Sequence, residues 1–142
     1  MRVLLLALLT VSFVASTTRF DSTTAFVKVV LRCKNPKDPN VKVFLMDSDF
    51  IENVWDEDDT LDFGNYRLGL TPEMILSLRG QEFEFSGLDP YLYIVHACTD
   101  KLNTRKIYNL PLMESMYRSR IFDVVIDLDT ETPSVSSRLA YP

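Results

Sequence analysis

The densest chemistry in this chain is a run of acids. Asp47, Asp49, Glu52, Asp56, Glu57, Asp58 and Asp59 follow one another with no Lys or Arg among them. Carboxylates at this density suit weak binding of Ca²⁺, a hard cation that takes about six to eight oxygen ligands. The spacing is not that of an EF-hand. Counting from Asp47, Ile51 falls at the fifth position and Glu52 replaces the turn glycine. The run reads first as a solvated loop, whose charges water screens, with a charged loop that docks a partner as a further alternative. Trp55 lies inside it, and an aromatic among charges can anchor a docked surface or fold back over a sheet edge.

His96 is the single histidine, and Cys33 and Cys98 are the only cysteines. Catalysis or tight metal binding at His96 needs partners that the sequence does not supply: a nucleophile with its base, or further His and Cys ligands. His96 therefore reads as a packed residue hydrogen-bonded to a neighbour. Metalloprotease, nucleophile-elbow and phosphate-loop motifs are missing, and so are Asn-x-Ser/Thr sequons. No cofactor is expected.

The acids are local. The window 47–62 holds eight of the 20 Asp and Glu residues, so the rest of the chain is slightly positive although the whole carries a net charge of −5. Nothing here favours nucleic acid, which needs a clustered basic surface. With 46% apolar and 11% aromatic residues the chain can bury a core.

The first 16 residues read as a secretory signal peptide: Arg2, an apolar run, then Val14 and Ser16 before the expected cut. The apolar run is too short to span a membrane, which takes roughly 20 residues. An exported, extracellular protein follows, and in an oxidising compartment Cys33 and Cys98 are expected to pair. Two separate thiols, or bonds to other chains, remain open alternatives.

These residues must be held by strands. In "FVKVVLRC" Val27, Val29, Leu31 and Cys33 point one way and Lys28, Val30 and Arg32 the other; in "VKVFLMDSD" Val41, Val43 and Leu45 face one way and Phe44 and Met46 the other. The Pro- and Asn-rich turn between them suggests a hairpin. "QEFEF" puts Phe83 and Phe85 inward. Pro90 opens "YLYIVHAC", where its missing N–H costs least; this strand is apolar on both faces, with Leu92, Ile94, His96 and Cys98 on one of them. "RKIYNLPL" is shorter. "RIFDVVIDLD" alternates with Phe122, Val124, Ile126 and Leu128 inward. A short helix is expected over 71–79, capped by Thr71 with Pro72 in its first turn. The expected order is a linker over 17–25, one domain over 26–130 and a frayed, flexible tail over 131–142. Six to eight short strands without strand–helix alternation predict an all-β, antiparallel two-sheet sandwich.

The sequence also resembles the nematode transthyretin-like family of secreted proteins. The resemblance rests on Leu31 and Cys33; on Val41, Val43, Leu45, Asp47 and Asp49; on Asp56, Asp58 and Asp59; on Gly80, Phe83 and Gly87; and above all on Pro90, Leu92, Ile94, His96 and Cys98. It implies a transthyretin-like (prealbumin-like, Ig-like) sandwich, extracellular and without an assigned activity. The related hydrolase of 5-hydroxyisourate relies on several His and Arg residues and a Tyr-Arg-Gly-Ser-like end, and this chain ends "RLAYP". The expectation is a secreted, non-enzymatic binding module that carries a small apolar ligand or lipid, or docks a protein or cell surface. Sheet edges also leave room for a homodimer.

Overall fold

The computed structural model describes residues 22–48, 58–83 and 87–141. Eight strands fill these segments: β1 (Thr23–Arg32), β2 (Asn40–Asp47), β3 (Asp59–Arg67), β4 (Leu76–Glu82), β5 (Pro90–His96), β6 (Lys106–Pro111), β7 (Arg120–Asp127) and β8 (Thr132–Leu139). They form two four-stranded sheets, one in the order β4-β1-β7-β8 and the other β3-β2-β5-β6. The sandwich expected from the alternation is present, and no helix occurs among the described residues.

The alternation works because each strand has one apolar face. Val27, Val29 and Leu31 of β1 and Phe122, Val124 and Ile126 of β7 meet Val41, Val43 and Leu45 of β2 and Leu92 and Ile94 of β5. None of these side chains is more than 3% exposed. Each contributes on the order of 1.5–3 kcal/mol by leaving water, which is what draws the sheets together.

Several local expectations are corrected. β1 and β2 are not a hairpin. They lie in different sheets, so the turn between them crosses the sandwich. β1 instead lies between β4, antiparallel, and β7, parallel, so the sheet is mixed. The helix expected over 71–79 is a loop with a cis Thr71–Pro72 bond, followed by β4. Leu76, Leu78 and Gly80 of β4 turn toward the core, a period of two that the Thr-Pro cap signal masked. Gly80 lies where β3 and β4 approach: a Cβ there would fall 2.6 Å from Leu61 Cδ1.

β4 also ends sooner than "QEFEF" suggests. Phe83 lies past it and is 71% exposed rather than inward; Phe85 falls outside the described residues. The expected frayed tail is β8, which pairs with the whole of β7. All eight of its residues are exposed, so only backbone hydrogen bonds mark it as a strand. The expected signal peptide lies outside the described residues.

Candidate functional site

Strand direction sorts the loops into two ends. The 33–39, 68–75, 97–105 and 128–131 connections gather at one end, and Ser48, Asp58, Phe83, residues 87–89 and the 112–119 connection at the other. The predicted site residues divide between them.

Cys33 and Cys98 are bonded, with their Cα atoms 6.0 Å apart. Cys33 follows β1 of one sheet and Cys98 follows β5 of the other, so the bond ties the sheets together. It closes a separation of 65 residues, worth about 4 kcal/mol in the chain-entropy account. Asp129 lies against it: Oδ1 is 3.3 Å from Cys98 Sγ, and Oδ2 accepts the Lys34 N–H at 2.8 Å. Two sulfurs and a carboxylate within ligand distance have the composition of a metal centre. With the sulfurs bonded to each other no thiolate is left to bind one.

His96 is 1% exposed. Its Nδ1 accepts the Cys98 N–H at 3.1 Å, the neighbour bond expected of a packed histidine, and Nε2 has no partner among the described residues. Burial pushes its pKa below the ordinary value; Glu131 pulls it up and Lys106 pushes it further down. Those two residues form an exposed 3.9 Å ion pair. A neutral imidazole with its acceptor nitrogen occupied holds the backbone, and no nucleophile or second ligand is in contact with it among the described residues.

At the opposite end the acids separate into two kinds. Asp47, read as the first member of the acid run, is 1% exposed at the end of β2. Its Oδ1 accepts the Asp89 N–H at 2.7 Å, and Ser48 N–H donates to the Asp89 carbonyl at 3.2 Å. Asp89 in turn accepts the Ser115 N–H on its own carboxylate. Asp47 is thus the inner post of a clasp over three connections, and is withdrawn from any open loop site. Gly87 makes the close approach possible: its φ is +86°, and a Cβ would sit 3.1 Å from the Ser115 backbone and the Tyr117 ring. Pro90, which opens β5 as expected, is buried beside it and accepts the Leu112 N–H at 2.9 Å.

Asp58 and Asp59 are exposed. Asp58 accepts the Tyr91 hydroxyl at 2.5 Å, and the phenol is held far above its ordinary range, first by burial and then by this bond. Asp59 stands opposite Asp47 in the β2–β3 ladder. Asp49, Glu52, Asp56, Glu57 and Trp55 lie outside the described residues. Among the described residues no three carboxylates of this end come within ligand distance of one another.

One surface had no strong signal in the sequence. The outer side of the β3-β2-β5-β6 sheet carries an aromatic row. Phe44 pairs with Phe63 on β3 and Tyr93 on β5, with ring centroids 6.1 and 5.9 Å away. The alternation places Phe44 and Met46 on the second face of β2, but nothing local says whether that face is covered.

With the strand orders and the Cys33–Cys98 bridge established, the family can be stated. A family model described as Transthyretin-like family matches residues 28–112. The chain belongs to the transthyretin-like family. The match runs from β1 to just past β6 and contains the bridge, His96, Pro90 and the acid run. No curated protein and no solved structure matches. The transthyretin-like assignment thus rests on the family model, with the sandwich in agreement.

Proposed function

We propose that this transthyretin-like chain is a secreted, extracellular, non-enzymatic binding module that presents its acidic end to a protein or cell surface. One observation supports this most: the space between the sheets is filled. Val27, Val29, Val41, Leu45, Leu92, Ile94, Phe122 and Ile126 are all essentially inaccessible, as the docking reading requires. Asp58 and Asp59 stand exposed outside this core, at the end the Asp47 clasp closes. The Cys33–Cys98 bond suits an oxidising compartment. His96 and the bonded cysteines give no acid, base and nucleophile in contact, which supports a role without catalysis. No helix of the described residues is long and apolar enough to cross a membrane.

The runner-up is a carrier of a small ligand, with weak Ca²⁺ binding at Asp49, Glu52, Asp56, Glu57, Asp58 and Asp59. A cleft of about 370 Å³ lined by Ser22, Thr23, Tyr117, Arg118, Ser119 and Tyr141 favours it, although its lining suits a polar ligand better than a lipid. Native mass spectrometry of the purified protein, with and without Ca²⁺, separates the readings. The docking module gives the bare mass, less two hydrogens for the disulfide, in both conditions. A retained small molecule sinks docking in favour of the carrier, and a stoichiometric Ca²⁺ adduct assigns the acids to metal.

A further inference from the structure

The ladder registers fix what the outer face of the β3-β2-β5-β6 sheet carries. Thr60, Met46, Tyr91 and Pro111 make one row across the four strands. Phe63, Phe44, Tyr93 and Asn109 make the next, and Asn65, Lys42, Val95 and Ile107 the third. Phe63 is 66% exposed and Ile107 57%. Phe44, Met46, Tyr91, Tyr93 and Val95 are only half-buried. Eight of these twelve positions are apolar or aromatic, in adjacent rows on one side of the sheet. Contiguous apolar patches of this kind mark interaction sites on soluble proteins, and interface cores are enriched in aromatic residues and Met.

Charge says what covers it. At one end of the rows stand Lys42 and Arg67, both exposed and on the outer side by alternation with the buried Val41, Val43 and Tyr66. At the other end stands Asp58, whose carboxylate is drawn over this same face by the Tyr91 hydroxyl. A partner of single sign would meet repulsion at one end. A second copy turned end for end sets Arg67 against the partner's Asp58 and carries Lys42 over the partner's Met46, so neither cation meets a cation. Arg67 lies four residues past Phe63 on β3, and Asp58, just before β3, lies five the other way with one residue taken up by the bulge opposite Leu45 and Met46, so an axis across the strands at Phe63 exchanges the two charges.

We propose that this face joins two copies of the chain, packed face to face about a twofold axis that crosses the strands. Phe63 of each copy meets the partner's Phe63, and Arg67 lies over the partner's Asp58. The interface is isologous, so one attractive pair occurs twice. Four strands about 4.8 Å apart and roughly 25 Å long give a face near 500 Å² in plan. Two such faces remove about 1,000 Å² from water, the size at which specific association begins. The surface shares Asp58 with the acidic end of the docking reading but otherwise lies on the sheet face, away from the sheet edges.

Sedimentation equilibrium of the purified full chain over a concentration series tests the proposal. The expected result is a monomer–dimer equilibrium that Phe63→Glu weakens by at least about tenfold, as Arg67→Glu and Asp58→Arg each do by a similar factor at low salt. Each single swap puts like charges together twice. The double variant Arg67→Glu/Asp58→Arg, and an equimolar mixture of the two single variants, restore the dimer because opposite charges face again. Circular dichroism of each variant confirms the fold. A chain that stays monomeric up to on the order of 100 μM overturns the proposal. So does a dimer indifferent to Phe63→Glu, as association through the β6 or β8 edge would be, or a double variant no better than the singles.

Discussion

Where β1 and β5 finish, the two sheets are joined by the Cys33–Cys98 bond; where β2 finishes and β5 begins, in one and the same sheet, Asp47, Asp89 and the Ser115 amide tie that sheet to the connection between β6 and β7. The first tie restricts the unfolded chain and is indifferent to the details of packing. The second exists only when three connections are already in place, because a buried carboxylate is tolerated only with its acceptors occupied. The bonded end thus holds the sheets together whatever the loops do. The clasped end reports whether the crossovers are folded. The described acids of the clasped end divide accordingly: Asp47 is buried and works inward, while Asp58 and Asp59 are exposed.

Removing the covalent tie has the largest expected effect. Cys33→Ser/Cys98→Ser, or reduction, should lower stability by about 4 kcal/mol in urea unfolding, with the sandwich circular dichroism retained below the transition. A loss under about 1 kcal/mol would place the tie between sheets elsewhere.

Asp47→Ala should cost about 2–3 kcal/mol, since it orphans the Asp89 amide in a buried setting. Hydrogen exchange sharpens the contrast. The Asp89 and Ser115 amides should lose protection, while that of Cys98 at the other end keeps it.

A smaller effect separates the ends by pH. His96 has its pKa lowered in the fold, so below about pH 6.5 the unfolded chain takes up a proton that the native one refuses. Stability therefore falls as pH drops from about 6.5 toward the folded value, by at most about 1.4 kcal/mol per unit, and is unaffected by His96 above that window. His96→Gln should flatten this part of the pH profile and leave the Asp47 clasp untouched.

Smallest of all, Lys106→Gln removes a positive neighbour and should move the His96 titration, read by NMR, upward toward its ordinary value. No change would remove Lys106 from the groups that set it.

The strands that carry both ties could be read from residue types. β1, β2, β5 and β7 each bury every second side chain, and the hydrophobic effect enforces that period on any strand with one dry face. The cysteines could be paired because both sit at the ends of such strands on the inner side. β8 could not be read, since an edge strand exposed on both faces carries no period and is held by backbone groups common to every residue. Nor could the partition of β1 and β2, because a seven-residue turn rich in Pro and Asn serves a crossover as well as a hairpin. At 71–79 two local signals competed: Thr-Pro at the start suggested a cap, and pairing of Leu76 and Leu78 with β1 outweighed it. Asp47 was grouped with its sequence neighbours because composition does not distinguish an acid that points inward from one that points out.

The parallel pairing of β1 with β7 sets an order of events during synthesis. β2, β3, β5 and β6 can all find one another by the time residue 111 leaves the ribosome, and so can Cys33 and Cys98. β1 must wait for some ninety further residues before its second neighbour exists, with only β4 beside it meanwhile. A nascent chain stalled before residue 120 thus leaves the middle of a sheet standing as a bare edge, open to strand addition by another molecule.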